Sequence, residues 1–276
     1  MKNNIKHIVK FVKEQRAYDF TGNYLSMLER RIQKRLHATD CENFDDYFVY
    51  LKTNNNEIDN LIDVLTINVS SFFRNTLPFE YFSEKIIYQI IVKKMQTNDS
   101  CLRVWSAGCS YGEEPYTIAI IINEFLKKEK SFIKPDIFAT DIDKNAIEIA
   151  SVGKYNFESI RNVKYALVDE YFTKEDDSFY ISPAIKEMVH FSFFDLLDKK
   201  HFTPPESIFG DFDIVFCRNV LIYFNQSYQE IIFDKLYKSM NYDSYLVLGE
   251  AEIPVSSFKN KFKRISKIGK IYRKIG

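Results

Sequence analysis

In the first 75 positions, apolar residues recur at the three- and four-residue spacing of amphipathic helices, not at the alternation of strands. Segments rich in turn and cap residues separate these runs at TGN (21–23), ATDCEN (38–43) and TNNN (53–56). The apolar positions that carry the pattern are Ile5, Ile8, Val9 and Val12, then Tyr24, Leu25, Leu28, Ile32 and Leu36, then Phe44, Tyr47, Phe48 and Leu51. The pattern predicts a helical N-terminal domain of three or four helices with a linker over residues 1–75.

After residue 76 short apolar runs alternate with helical patterns. Apolar strands that alternate with helices predict an α/β domain with a mostly parallel sheet covered on both faces. Strands are predicted at 101–106, 136–141, 212–217 and 245–249, and helices at 114–128, 143–153 and 227–240.

Two segments depart from this alternation. Residues 155–190 contain DDSFYIS, which is typical of a hairpin turn followed by a strand, and predict a small antiparallel insertion. The closing stretch FKNKFKRISKIGKIYRKIG alternates around a Lys-Ile-Gly-Lys turn and predicts an antiparallel hairpin at the edge of the sheet.

Composition excludes several classes of function. Lys plus Arg equals Asp plus Glu at 38 each, so the overall charge gives no electrostatic footprint for nucleic acid. The four cysteines form no CxxC and the four histidines form no HxxxH or HExxH, so we expect free thiols and no metal site. The longest apolar run, IAIII at 118–122, is far too short to insert into a membrane, and the charged N-terminus does not resemble a secretion signal. We expect a cytoplasmic protein.

The loop SAGCSYG follows the first predicted strand, and its glycines, Gly108 and Gly112, allow the backbone to approach a ligand closely. Two glutamates, Glu113 and Glu114, stand where a phosphate-binding loop has Gly-Lys-Ser/Thr, and no GxGxxG is present. Acidic side chains are favoured at a helix N-terminus but repel phosphates, so they fit a ligand with positive charge. Simple capping of the helix by these glutamates explains them equally well.

Asp141 ends the next predicted strand, in ATDID. A carboxylate at this point can accept hydrogen bonds from both ribose hydroxyls of a nucleotide. A ribose acceptor beside a glycine loop that lacks phosphate ligands indicates a nucleoside with a cationic tail. S-adenosylmethionine is the common cofactor of that kind.

Four segments in order, LTINVSSFFRN (65–75), SAGCSYGEEPYTIA (106–119), ATDID (139–143) and FDIVFCRNVLIYF (212–224), resemble the CheR-type chemotaxis receptor methyltransferases. The resemblance implies a Rossmann-like S-adenosylmethionine-dependent methyltransferase domain over 76–276 with an inserted antiparallel β-subdomain over 155–190. It implies methyl transfer from S-adenosylmethionine to glutamates in the cytoplasmic helical region of chemoreceptors, which forms glutamate methyl esters and S-adenosylhomocysteine in sensory adaptation.

The resemblance also implies roles for individual residues. Glu114 is expected to bind the methionine ammonium, Asp141 the ribose, and Asp195 with Leu196 the adenine. The other residues expected to bind the cofactor are Asn68, Ser70, Arg74, Gly108, Arg218 and Asn219. Three positions depart from the family pattern, because Ser70 replaces Thr, Asp195 replaces Asn and Tyr111 stands where Thr is frequent.

Arg74 and Tyr223 are the expected catalytic residues, as donors that orient the acceptor carboxylate, with Tyr223 as the closer partner. A glutamate is ionised at neutral pH, so the site needs alignment and partial desolvation, not a strong base. The alternatives without a catalytic role are that Arg74 is an ordinary surface arginine and that Tyr223 is an aromatic residue of the core.

The segment ERRIQKRL carries basic residues at helical spacing, and the resemblance implies that this face docks an acidic helical substrate. A solvated charged face is the alternative. The basic residues are Arg30, Arg31, Lys34 and Arg35. The inserted subdomain binds a receptor tether in part of the family, but the short turn TKEDDS leads us to expect no tether binding here.

Three other functions compete with this hypothesis. A non-catalytic module that binds S-adenosylmethionine or S-adenosylhomocysteine and signals through protein contacts is compatible with the sequence. A small-molecule methyltransferase is less well supported, because a small substrate would not require the basic helical domain. A dinucleotide oxidoreductase is poorly supported, because it would require a pyrophosphate-binding loop that the sequence lacks.

Overall fold

The computed structural model describes residues 2–275 except 17, 67, 98 and 208. The described chain forms two units. The helical unit contains the residues up to 66 together with Leu221–Ile231, and the sheet unit contains Asn68–Val220 together with the residues from Ile232 onward. Ile67, within the motif that links the two predicted domains, lies outside the described residues.

Four helices make up the described N-terminal part of the helical unit, as the apolar spacing predicts. Asn43 begins the third of them, because its side-chain oxygen accepts hydrogen bonds from the backbone N–H groups of Asp45 and Asp46. Their buried side chains, among them Ile5, Leu28, Tyr47 and Leu61, form one hydrophobic core. The helices are α1 (Lys2–Arg16), α2 (Leu25–Ala38), α3 (Phe44–Thr53) and α4 (Asn55–Leu65).

Three consecutive helical segments precede the sheet, and the sequence analysis did not predict them. The middle segment is a π-helix at Phe82–Ile86. One face of the run is buried in the core of the sheet unit, through residues such as Phe79, Phe82 and Ile90. The flanking helices are α5 (Thr76–Tyr81) and α6 (Ile87–Thr97).

The sheet unit alternates strands and helices. Its helices are α7 (Glu113–Glu129), α8 (Lys144–Val152), α9 (Phe157–Ile160), α10 (Tyr165–Tyr171), α11 (Pro183–Lys186) and α12 (Gln226–Ser239), of which α12 begins in the helical unit. A 3₁₀ turn lies at Leu221–Tyr223 in the helical unit, and another lies at Ser256–Lys261 in the sheet unit. Its strands are β1 (Cys101–Ala107), β2 (Lys134–Asp141), β3 (Lys154–Tyr155), β4 (Phe172–Glu175), β5 (Ser178–Ile181), β6 (Val189–Phe193), β7 (Phe212–Cys217), β8 (Met240–Leu248), β9 (Phe262–Arg264) and β10 (Lys270–Lys274).

The main sheet has seven described strands in the order β6–β2–β1–β7–β8–β10–β9. The first five run parallel, and β10 pairs antiparallel with both β8 and β9. The mostly parallel sheet and the antiparallel C-terminal hairpin at its edge are therefore confirmed. The central strands β1 and β7 are almost continuously buried, which agrees with a parallel sheet covered on both faces.

A second sheet of three antiparallel strands, in the order β3–β5–β4, lies in the predicted insertion. One prediction needs correction here, because the insertion was expected to extend to residue 190. Residues 189–193 form β6, which pairs parallel with β2 and is an edge strand of the main sheet.

All four cysteines are free thiols. Cys41 follows α2 and is half-buried, as is Cys101 at the start of β1. Cys109 and Cys217 are fully buried, and burial raises the pKa of both well above the usual value. Within the described residues, every helix is too short or too polar to cross a lipid bilayer.

Candidate functional site

The carboxyl ends of four adjacent parallel strands carry most of the predicted cofactor-binding residues. The chain passes from β1 to β2 on one side and returns to β7 on the other side of β1, so the strand order reverses beside β1. Open α/β sheets bind ligands at such a reversal, outside the carboxyl ends of the strands. The four strands and the residues that follow them are β1 with Gly108, β2 with Asp141, β6 with Asp195, and β7 with Arg218 and Asn219.

The turn after β1 needs glycine at its first position. Gly108 has a φ of +81°, and a Cβ on it would lie 2.3 Å from Cγ2 of Val220. Its N–H donates to the carbonyl oxygen of Thr140 at 2.8 Å, which ties the turn to β2. The position thus excludes a side chain on both steric and conformational grounds.

Glu114, in the first turn of α7, has a partner that the sequence did not reveal. Its Oε2 accepts from Nη1 of Arg218 at 3.0 Å, and its Oε1 accepts from Oγ of Ser106 at 2.8 Å. Arg218 also donates to the carbonyl oxygen of Arg74 at 2.8 Å, and its guanidinium stacks 4.7 Å above the ring of Phe79. Arg218 is 6% exposed and fixes the direction of the Glu114 carboxylate.

Asp141 closes β2 with both carboxylate oxygens hydrogen-bonded to backbone. Oδ2 accepts from the N–H of Ser110 at 2.8 Å, and Oδ1 accepts from the N–H of Asp143 at 3.0 Å. Burial raises the pKa of Asp141, the charge of Asp143 adds to that increase, and the two backbone N–H groups oppose it. The carboxylate therefore has a fixed orientation beside the glycine turn.

Asp143 is a site residue that the sequence analysis missed. Its Oδ1 caps α8 by accepting from the N–H groups of Asn145 and Ala146. Its Oδ2 accepts from Nδ2 of Asn68 at 2.5 Å, so a predicted cofactor-binding residue is joined to the end of β2. The Asp-x-Asp spacing in ATDID was the available signal.

The motif from Asn68 to Arg74 is held in place within the sheet unit by backbone hydrogen bonds. The N–H of Phe72 donates to the carbonyl oxygen of Ser159 at 2.9 Å, and the N–H of Phe73 donates to Oγ1 of Thr117 at 3.1 Å. The guanidinium of Arg74 donates to the carbonyl oxygen of Val69. The side chain of Arg74 thus folds back onto the motif itself.

Glu113 is a buried acid that the sequence analysis noted only as a neighbour of Glu114. It is 2% exposed, and burial raises its pKa, while the nearby hydroxyls of Ser70 and Ser159 lower it. Ser70 therefore contacts a carboxylate through the hydroxyl that it shares with the usual Thr.

Asn219 adopts a φ of +59°, which is uncommon outside glycine. Its N–H donates to Oε2 of Glu252 at 3.0 Å, and the same oxygen accepts from the N–H of Gly249 at 2.7 Å. Glu252 is 3% exposed and was missed, because it lies beyond the next strand in the sequence.

Asp195 and Leu196 follow β6 after one residue, Phe194. Oδ1 of Asp195 accepts from the N–H of Leu197 at 2.8 Å, and Leu196 is 8% exposed. The N–H of Phe194 donates to the carbonyl oxygen of Asp141 at 2.9 Å, which holds the start of this segment beside β2. Tyr111, in the glycine turn, accepts a hydrogen bond at its carbonyl oxygen from Tyr155 at 2.8 Å.

Tyr223 and the basic residues of α2 belong to the helical unit. Tyr223 lies in the 3₁₀ turn and accepts at its carbonyl oxygen from the N–H of Tyr24 at 3.2 Å.

The four basic residues of α2 differ in how far their side chains are exposed. Arg30 and Lys34 are exposed, but Arg31 is half-buried and its Nη1 donates to the carbonyl oxygen of Val64 at 2.6 Å. Arg35 binds Glu57 through two hydrogen bonds of 2.8 and 2.6 Å. Arg31 and Arg35 therefore have partners within the helical unit, whereas Arg30 and Lys34 face solvent.

The donor set suits a cationic nucleoside. Glu114 and Asp141 place two carboxylates beside the turn, and the turn itself contains no basic residue. Among the described residues no group of three or more His, Cys, Asp or Glu side chains could hold a metal ion.

Comparison with known proteins gives matches along both parts of the chain. Residues 68–270 match the CheR methyltransferase, SAM binding domain, and residues 3–66 match the CheR methyltransferase, all-alpha domain. The chemotaxis protein methyltransferase of Borreliella burgdorferi is 32% identical over 254 residues, which cover 91% of this chain and 88% of that protein. Chemotaxis protein methyltransferase Cher2 of Pseudomonas putida is 35% identical over 196 residues, covering 70% and 68%. The Salmonella typhimurium chemotaxis protein methyltransferase is 28% identical over 269 residues, covering 95% and 86%.

Proposed function

Because the chain belongs to the CheR methyltransferase family and is an S-adenosylmethionine-dependent methyltransferase of chemotaxis, we propose that it methylates glutamate side chains of chemoreceptors. The observation that carries this proposal is the two-carboxylate site, Glu114 and Asp141, in a chain that matches the family along nearly its whole length.

We assign the cofactor-binding roles to residues that surround the glycine turn. A carboxylate has about four acceptor positions, and Glu114 uses one oxygen for Ser106 and the other for Arg218, which leaves capacity for an ammonium group. Asp141 likewise retains acceptor positions for ribose hydroxyls. Gly108, Asn68, Ser70, Asp195, Leu196 and Asn219 complete the proposed cofactor-binding set.

When bound, the cofactor supplies a methyl group activated by the positive sulfonium that carries it. The acceptor glutamate is already ionised at neutral pH, so the chain need not remove a proton. We assign to Arg74 and Tyr223 the alignment of that carboxylate, which is the main requirement of such a displacement. A hydrogen-bond donor such as the Tyr223 hydroxyl orients a carboxylate with less loss of nucleophilicity than a tight ion pair.

We propose that the functional division of the chain follows the predicted domains, 1–75 and 76–276, with an insertion that begins at 155 and ends before β6. The basic residues of α2 that face solvent, Arg30 and Lys34, are proposed to attract acidic helices of the receptor's cytoplasmic region. Surface attraction of this kind is screened by salt. The three-stranded sheet is proposed not to bind a receptor tether.

The test is transfer of a radiolabelled methyl group from S-adenosylmethionine to the cytoplasmic fragment of a chemoreceptor. We expect base-labile label, which identifies a methyl ester, and no label on a fragment whose acceptor glutamates are replaced by alanine. Receptor fragments with and without their C-terminal tail should be methylated alike. Tyr223→Phe and Arg74→Met should each reduce transfer by about tenfold or more while S-adenosylhomocysteine binding to Tyr223→Phe is unchanged.

Each result has a distinct meaning. Binding of S-adenosylhomocysteine without transfer to any receptor fragment would support a signalling module that binds the cofactor. Absence of binding by calorimetry would overturn the proposed function itself.

A further inference from the structure

Lys235, on α12, is a charged residue that none of the proposed roles uses. It is 2% exposed and lies within the part of α12 that belongs to the sheet unit. A lysine is rarely buried to this extent unless its ammonium is fully satisfied.

Its ammonium is satisfied by one short segment. Nζ donates to the carbonyl oxygens of Asp195 at 3.2 Å, Asp198 at 2.5 Å and His201 at 2.9 Å. An ammonium has three N–H donors, so each is used. Nζ also lies 4.5 Å from the centre of the Phe194 ring.

The segment held in this way begins at the proposed adenine site. Asp195 and Leu196 follow β6 after Phe194, and the next residues turn away, with the N–H of Asp198 donating to the carbonyl oxygen of Asp195 at 3.0 Å. Lys235 therefore binds the same carbonyl that closes this turn. Loss of its contacts would remove a hydrogen-bond donor from three carbonyls of residues 195–201 at once, and the Asp195 carbonyl would keep the N–H of Asp198.

We propose that Lys235 is a positioning residue for the adenosine half of the cofactor, and that its protonated ammonium holds residues 195–201 in the binding conformation. This inference rests on the proposed assignment of Asp195 and Leu196 to the adenine. It extends that assignment to a residue 39 positions away that is not expected to touch the cofactor.

The electrostatic surroundings of Lys235 make the role depend on pH. Burial lowers the pKa of Lys235 to about 8, against the opposing effect of the Asp198 and Asp195 carboxylates. The other titratable groups of the held segment are Lys199, Lys200 and the His201 imidazole, whose Nδ1 lies 2.6 Å from Oδ2 of Asp198. On α12 itself the neighbouring charges, Asp234 and Lys238, pair with each other. Above pH 8 the amine has two hydrogens for three carbonyls, so cofactor affinity should fall.

The experiment measures the affinity of the whole protein for 5′-methylthioadenosine between pH 6.5 and 9.5. This probe has the adenosine half and lacks the amino group that Glu114 would bind, so its own charge does not change over the range. We expect the wild-type affinity to fall about tenfold between pH 7 and pH 9, following the protonated fraction of a group with a pKa near 8. Lys235→Arg keeps a permanent charge and should show a flat profile.

Lys235→Met removes the ammonium, and we expect about tenfold weaker binding at pH 7 with no dependence on pH. Lys274→Met is the matched control, because Lys274 also donates to two carbonyls, those of Tyr237 and Met240, and burial lowers its pKa too. That variant should lose stability and keep the wild-type profile.

Three results would overturn the inference. These are a wild-type profile that is flat, a Lys235→Arg profile that falls like the wild type, or a Lys274→Met loss of affinity equal to that of Lys235→Met. Failure of the wild type to bind S-adenosylhomocysteine at all would instead refute the proposed function.

Discussion

Gly108 opens the glycine turn after β1, where the cofactor is proposed to bind. Alanine at Gly108 meets two separate costs. Its φ of +81° is left-handed, which costs a residue with a Cβ about 1–2 kcal/mol. The new Cβ would also lie 2.3 Å from Cγ2 of Val220, where ordinary contact begins at 3.4 Å.

The size of the second cost depends on how far Val220 can move. A β-branched side chain is stiff at χ1, so we expect the clash to cost about 1–3 kcal/mol, as in other overpacked sites. Gly108→Ala should then lower the free energy of unfolding by about 2–5 kcal/mol in total.

Two further variants separate the costs. Gly269 has nearly the same φ, +79°, but its added Cβ would have no neighbour nearer than 3.5 Å, so Gly269→Ala measures conformational strain alone. Val220→Ala removes the clashing methyl group, so the pair Gly108→Ala and Val220→Ala should show a favourable coupling of about 1–3 kcal/mol in a double-mutant cycle.

Urea unfolding followed by tryptophan fluorescence gives the measurement. The chain has one tryptophan, Trp105, which is fully buried in β1 three residues before the turn, so its signal reports the sheet unit. Equal losses in Gly108→Ala and Gly269→Ala, with no coupling to Val220→Ala, would refute the steric reasoning.

Three further predictions concern charged side chains. Arg35→Met should cost about 3–5 kcal/mol of stability because it leaves the buried Glu57 without its charged partner, although Tyr47 and Asn60 still donate to it. Lys34→Met should leave stability unchanged, and equal unfolding midpoints of the two variants would contradict this. Burial raises the pKa of Glu57, but the opposing hydrogen bonds from Arg35 help to bring the folded-state pKa below its usual value. The stability that the pair contributes is therefore present above the unfolded-state pKa and is lost as pH falls through the lower folded-state pKa. Acid unfolding of Glu57→Gln should not show this loss. Arg218→Met should weaken S-adenosylhomocysteine binding by about tenfold or more in calorimetry, because Glu114 loses the donor that orients it; unchanged affinity would remove Arg218 from the site.

The sequence predicts the strands that are buried along nearly their whole length. The strands β1 and β7 are near-continuous apolar runs, and such runs have few other interpretations in an α/β chain. The edge strand β6, with the sequence VHFSF, mixes His190 and Ser192 with aromatics, so its period does not separate it from the insertion. The helical run from Thr76 to Thr97 was missed although its buried residues recur at helical spacing.

The site was predictable where a motif keeps its residues together. The turn at Gly108, Glu114 and the ATDID acid all follow predicted strands. The contacts of Glu114 with Arg218, and of Asn219 with Glu252, join residues 104 and 33 positions apart, and no local pattern encodes such pairings. Helical spacing likewise placed Arg35 on the basic face of α2, but it could not show that Glu57 of α4 accepts its hydrogen bonds.

The distribution of the four thiols gives the native chain a built-in pair of labelling positions. Cys109 and Cys217 are buried and their raised pKa keeps them protonated at neutral pH, so alkylating reagents should reach Cys41 and Cys101 first. Cys41 belongs to the helical unit and Cys101 to the sheet unit. Burial raises the pKa of Cys101, which should slow its reaction and allow two different dyes to be attached in sequence. Energy transfer between those dyes would then follow the separation of the two units, with and without S-adenosylhomocysteine, in a protein that needs no engineered cysteine.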